Sequence, residues 1–174
     1  ELFYREGIRA VGVDEVVERA GVTKPSLYRS FASKDDLAAA YMRDYDLDFW
    51  EKFENPGGKS YSDPREHVLA YIRVLSTRAV REGYRGCGLS NATIEYPARD
   101  NPARQVAEAH KKVFRRRLRE LTAGMGARQP AVLGDALLLL IEGIYSTGQQ
   151  SEDGPAQSAV TVAKLLIDAS LAKG

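Results

Sequence analysis

GVDEVVERAGVTKPSLYRSFASK, residues 12–34, is the stretch from which the fold is read. Val13, Val16, Val17 and Ala20 recur at helical spacing behind Gly12, which caps the segment, while Glu15 and Glu18 take the opposite, wet face. Gly21 stands where a chain leaving a helix needs a left-handed residue, so a sharp turn is expected there, with Val22 dropping back into the core. Thr23 is an N-cap for a second short helix, in which Leu27 and Phe31 point inward at i and i+4 and Lys24, Ser26 and Arg29 point outward. Ser33, with Asp36 three residues on, starts a third, longer helix in a capping-box pattern, and Lys34 lies beside the exposed amides of its first turn. This is the spacing of a helix-turn-helix whose second helix can lie in a DNA groove. The outward side chains are candidate base and phosphate contacts, and an amide-rich helix start with a lysine beside it suits a phosphate. From Thr23 to Lys34 there are three basic side chains and no acidic one.

Beyond that stretch the punctuation is helical throughout. The third helix is expected to run to Phe53 with Leu37, Tyr41, Tyr45 and Phe49 inward, ended by Asn55-Pro56-Gly57-Gly58. Asp63 caps the next, with Pro64 at its first position and Glu66 at its third, and a stripe of Val68, Tyr71, Ile72, Leu75 and Ala79 carries it to Gly83. A short helix is expected over 87–95, cut by Pro97. Another starts at Asn101-Pro102 with Val106, His110, Val113, Phe114, Leu118 and Leu121 on one face and Gly124 at its end. The last two are expected over 130–147 and 155–172. No strand pattern or repeat is visible, and the chain reads as all-α with about nine helices.

The segment AVLGDALLLLIEGIYSTG, residues 131–148, is apolar nearly all round, so it must be buried on two sides. A second copy of the chain is the expected cover for one of them. Leu133, Leu137, Ile141 and Ile144, together with Ala159, Ala163, Leu166 and Ile167 of the final helix, are assigned to that self-complementary four-helix contact. The other side, with the helices around residues 64–124, is expected to line a pocket. Its candidate residues are Trp50, Tyr71, Leu75, Cys87, Asn91, Glu95, Glu142 and Tyr145, because apolar walls with a few polar groups describe a small-molecule site.

The segment FYREGIRAVGVDEVVERAGVTKPSLYRSFASKDDLAAAYM, residues 3–42, resembles the DNA-binding domain of the tetracycline-repressor-like (TetR) family of bacterial transcription regulators. The most specific part is the turn glycine, the Tyr28 and Phe31 pair and the Ser33-Lys34 helix start. The resemblance implies that Lys24, Pro25, Ser26 and Arg29 face base edges or nearby backbone and that Thr23, Tyr28 and Lys34 contact phosphates. It also implies an inducer that changes the separation of two reading heads. Gly12 departs from the family's usual Ser or Thr, and Val17 from its usual small Ala. On this basis residues 1–45 are expected to form a helix-turn-helix domain and 46–174 a ligand-binding and dimerisation domain. The expected function is a repressor released from a palindromic operator by a small molecule.

Length and composition agree with this reading. The 174 residues, 44% of them hydrophobic, can bury one core plus a small reader domain. One cysteine, Cys87, rules out an internal disulfide and fits a reducing cytosol, so a cytoplasmic, nucleoid-associated place is expected. The longest uninterrupted apolar run, residues 136–141, predicts neither a membrane span nor a signal peptide. The chain begins at Glu1 without Met, so an N-terminal arm is expected to be missing. Residues 1–52 hold eight Lys or Arg against eleven Asp or Glu, and the nucleic-acid reading therefore rests on charge placement rather than net charge. The basic run KKVFRRRLR, residues 111–119, keeps its apolar residues in helical phase and reads as a solvated helix face. His67 and His110 have no companions at metal-ligand spacing, and no cofactor, metal or catalytic constellation is expected. The competing reading is an all-helical cytosolic binding or carrier protein without an operator; an enzyme using Glu95 or Glu142 as a base has the least support.

Overall fold

The computed structural model describes residues 1–148 and 154–171. Among them are nine α-helices: α1 (Leu2–Glu6), α2 (Val13–Ala20), α3 (Lys24–Ser30), α4 (Lys34–Glu54), α5 (Pro64–Ala79), α6 (Gly88–Glu95), α7 (Pro102–Gly124), α8 (Pro130–Thr147) and α9 (Ala159–Leu171). Short 3-10 turns at Pro56–Gly58 and Pro155–Ser158 precede α5 and α9, and no strand occurs among the described residues. The chain divides into two compact units, Glu1–Leu47 with Cys87–His110, and Asp48–Gly86 with Lys111–Gly174. The first unit therefore takes in α6 and the start of α7, which a single cut at 45/46 leaves out.

Local chemistry sets most boundaries. Gly21 is left-handed (φ 65, ψ 28), and the Val22 amide donates to the Val17 carbonyl at 3.0 Å, which closes α2 in a Schellman turn. Thr23 Oγ1 accepts from the Ser26 amide at 3.3 Å, and Ser33 Oγ accepts from the Asp36 amide at 3.1 Å while donating to its carboxylate at 2.8 Å. Asp63 accepts from the Arg65 amide at 2.9 Å with Pro64 next to it. Three expectations are corrected. Val22 is 44% exposed, because the Schellman turn leaves its side chain at the surface, and Ala20 is exposed beside it. α5 ends at Ala79, ahead of Gly83, whose positive φ of 74 belongs to the turn that follows. The last helix opens with a 3-10 turn at Pro155, so α9 proper begins at Ala159; its expected end, Ala172, lies outside the described residues.

In the first unit, Ile8, Val11, Leu27, Ala38, Ala39, Met42, Leu89 and Ala92 form the core. Tyr45 packs so closely on α6 that a β-carbon at Gly88 would lie 2.9 Å from its ring, which accounts for glycine there. His110 Nδ1 lies 2.7 Å from Asp46 Oδ1. The second unit is built on an aromatic knot: Phe53 is fully buried, with its ring centroid 4.8 Å from Tyr71 and 5.1 Å from Phe114. His67 Nε2 donates to the Phe53 carbonyl at 2.7 Å. Around the knot α5 packs on α9 and α8, and Gly134 of α8 lies so close to α7 that a β-carbon would meet the Arg119 backbone at 2.9 Å.

The basic run of α7 is largely paired rather than merely solvated. Arg115 and Arg119 both grip Asp135 of α8, with N to O distances of 2.6–2.9 Å, and Arg117 makes a two-pronged pair with Glu54 at 2.8 and 2.9 Å. Hydrogen bonds from Arg115 and Arg119 hold the Asp135 carboxyl well below the usual carboxylate range, and the Arg117 hydrogen bond lowers that of Glu54. A carboxyl depressed in the folded state stabilises above its unfolded value, about pH 4, and loses that contribution as pH falls through the folded value. Acid titration of the protein should thus show stability declining below about pH 4, and the double variant Asp135→Asn with Glu54→Gln should flatten that decline. Parallel decline in both proteins would exclude these pairs as its source.

Candidate nucleic-acid interface and effector pocket

α3 presents the residues singled out above in two layers. Leu27 is 6% exposed and anchors the helix from beneath, whereas Lys24, Pro25, Arg29 and Thr23 are exposed and Ser26 is half-buried at the first turn. Tyr28 is 48% exposed, so its phenol stands in solvent rather than in the core. Phe31 falls just past the helix as its C-cap, in extended conformation and half-buried. Lys34, at the start of α4, donates from Nζ to the Arg9 carbonyl at 3.1 Å. Gly12 adopts an extended φ/ψ without a side-chain cap, so the hydroxyl that the family usually places there is missing.

Sequence spacing did not reveal an acid on this surface. Asp14 of α2 pairs with Lys24 at 2.5 Å, and this hydrogen bond raises the lysine pKa. Both side chains are largely exposed, so a phosphate competes for Lys24 with a weak, solvent-screened partner. Asp14→Asn should therefore tighten binding to duplexes of any sequence about two- to fivefold at low salt, and less as salt rises. Unchanged affinity would mean that Lys24 lies outside the footprint.

The eight residues assigned to a pocket are split between the units. Cys87, Asn91 and Glu95 belong to the first unit, where Cys87 is buried and Glu95 is engaged by Arg9. Trp50, Tyr71, Leu75, Glu142 and Tyr145 belong to the second. There the Tyr71 and Tyr145 hydroxyls lie 2.5 Å apart, both rings buried; Lys111 pairs with Glu142 and sits 5.8 Å from the Tyr145 ring centroid. Trp50 packs edge-on to Phe49, Phe53 and Phe114, as part of the aromatic knot. A cavity of about 370 Å³ in this unit is lined by Tyr71 and Leu75 together with Glu51, Asn55, Val74 and Arg78.

The residues assigned to a second copy are mostly covered within the chain itself. Leu133, Leu137, Ile141, Ile144, Ala159, Ala163 and Ile167 are all buried in the protomer, and Leu166 alone is half-buried. They form the inner face of α8 and α9, because the packing of α5 against both helices selects that stripe. The apolar residues left uncovered are Val132 (62% exposed) and Leu139 (73%) on α8, and Val162 and Leu165 (65%) on α9. An open groove of about 640 Å³ runs between these helices, lined in part by Val132, Ala136, Val162 and Leu165. α8 is long and apolar enough to cross a membrane by length and composition, yet its inner stripe is the packed core just described.

A short three-helix head with an anchored, outwardly basic α3 defines a helix-turn-helix protein, here followed by further helices. The sequence pattern of the bacterial regulatory proteins of the tetR family matches residues 1–41. The fold is similar to that of SCO4454, a TetR-family transcriptional regulator from Streptomyces coelicolor, with 29% identity, a TM-score of 0.89, and coverage of 98% of this chain and 90% of that one. Among characterised sequences, the chain is similar to the HTH-type transcriptional activator FasR of Mycolicibacterium smegmatis, 46% identical over 43 residues, which is 25% of this chain and 20% of that protein. It is also 27% identical over 117 residues to the transcriptional regulator AcuR of Cereibacter sphaeroides, 67% of this chain and 53% of that protein. The matched stretches thus span a fifth and about half of those two relatives. Residues 1–41 thus carry the tetR-family pattern, and the fold as a whole is similar to that of a TetR-family regulator.

Proposed function

We propose that the protein is a DNA-binding transcriptional regulator, a repressor that holds an approximately palindromic operator as a homodimer and releases it when a small molecule binds. The observation that carries the reading is the α3 surface, where Lys24, Tyr28 and Arg29 stand out in solvent over the buried Leu27. DNA reading is assigned to the unit containing Glu1–Leu47, and dimerisation to the outer faces of α8 and α9. Only a third of α8 is buried; its exposed Val132 borders the groove with Leu165 of α9, and Leu139 stands exposed further along α8, which supports a second copy as the cover. The effector site is assigned to the second unit, to the cavity lined by Tyr71 and Leu75, with the Tyr145 hydroxyl held against that of Tyr71. Apolar walls from Val74, Leu75 and the Tyr71 ring, with Glu51, Asn55 and Arg78 as polar groups, suit a small amphiphilic molecule. Release follows if the ligand favours a dimer whose two α3 helices no longer match successive major grooves. The protein is placed on cytoplasmic DNA, and no catalytic step is assigned to it.

Two substitutions test the reading through different signatures. Lys34→Ala should weaken binding to all duplexes and reduce the slope of log K against log salt by about one unit, as expected for one lost phosphate contact. Arg29→Ala should instead relax the preference at one operator position, with a discrimination loss of about 1–3 kcal/mol there. Equal loss on every sequence would contradict base reading by Arg29, and an unaltered slope would remove Lys34 from the phosphate contacts.

A further inference from the structure

We propose that Glu95, at the end of α6, is a positioning residue for DNA binding that acts through Arg9 on Lys34; this rests on the function proposed above. Glu95 Oε2 accepts the Arg9 amide at 2.9 Å, and the Arg9 guanidinium donates from Nη1 back to the Glu95 carbonyl at 3.1 Å. The Arg9 carbonyl in turn accepts from Lys34 Nζ at 3.1 Å. The two peptide planes that flank the Arg9 α-carbon are thus held from opposite ends, one by a carboxylate and one by an ammonium. Charge-assisted hydrogen bonds of this kind are the stronger sort. The turn has been shaped to admit the carboxylate: Gly7, at φ +92, leaves open a place 3.4 Å from both Glu95 oxygens where any other residue would put a β-carbon. One residue further on, the pKa of the largely buried Tyr96 phenol is pushed up to about 12, first by burial and then by the negative charge of Asp35, next to Lys34. The end of α6 therefore holds the turn between α1 and α2, and that turn itself holds Lys34 at the start of α4.

The consequence is for Lys34. A lysine carries its charge on a flexible four-carbon stem, and it meets a phosphate with less loss of freedom if its ammonium is already held in place. The Arg9 carbonyl provides that hold, and Glu95 keeps the carbonyl in position. The role differs from a ligand contact, because the carboxylate is turned to the backbone of the reading unit.

The test uses the full chain and an operator duplex selected with the unaltered protein, with affinities from fluorescence anisotropy and thermal unfolding recorded in parallel. Glu95→Ala should weaken operator binding about fivefold, whereas in a Lys34→Ala background it should change nothing further, since contacts in one network are not additive. Glu95→Gln keeps an acceptor for the Arg9 amide and should bind within about twofold of the unaltered protein. Glu95→Asp is one methylene too short to reach and should reproduce the alanine loss, which covers the case of an unfolded Glu95→Ala. Additive losses in the double variant, Gln as weak as Ala, or full affinity for both Ala and Asp would each overturn the positioning role while operator binding by the unaltered chain stands. If the unaltered chain selects no operator, both this role and the function beneath it fail.

Discussion

Val132→Asp combined with Leu139→Asp is expected to leave the protomer folded, to hold it monomeric in sedimentation, and to weaken operator binding by about 10²-fold or more. Both side chains are more than 60% exposed, so aspartate costs the protomer's own core little. Around a two-fold axis each substituted position faces its symmetry mates or their neighbours, and four carboxylates would enter a patch that must otherwise lose its water. Two reading heads on one duplex gain from effective concentration, and separate heads lose that gain without losing a single contact to DNA. A stable dimer in the double variant would move the interface away from α8.

Phe53→Ala has the largest expected effect on stability, about 3–5 kcal/mol by chemical denaturation. Its ring is fully buried and touches the rings of Phe49, Trp50, Tyr71, Phe114 and His67, which come from α4, α5 and α7. No neighbour can collapse into the space without breaking edge-to-face geometry elsewhere in the knot. Because Tyr71 also lines the cavity, the same variant should loosen it, and if the cavity is the proposed effector site, added apolar ligand should recover part of the loss. A loss under 1 kcal/mol would mean that the knot repacks freely.

The features legible in the sequence are those written in neighbouring residues. Gly21 at the turn, Thr23, Ser33 and Asp63 as caps, and the bounds of α8 at Pro130 and Thr147 all depend on chemistry within four residues. Val22 was misread because a turn motif states where the backbone goes and not what will cover a side chain beyond it. The sides of α8 were misassigned for a related reason: a helix apolar on nearly every face has no polar stripe to mark its outside, and only the packing of α5 and α9 separates Leu137, within, from Leu139, without. Glu95 and Arg9 lie 86 positions apart and Lys24 and Asp14 ten, on different helices, so no local spacing announces either pair. The pocket candidates fall in both units because the inward faces of α6 and α5 carry similar apolar patterns, and no local spacing tells to which unit a helix belongs.

The central claim is that paired α3 surfaces read DNA, and selection of duplexes from a randomised pool by the unaltered protein tests it most directly. Enrichment of an approximately palindromic sequence, its half-site centres about 34 Å or more apart in whole helical turns, is the predicted result. A pool that returns unenriched, or that yields one unpaired half-site, would contradict it.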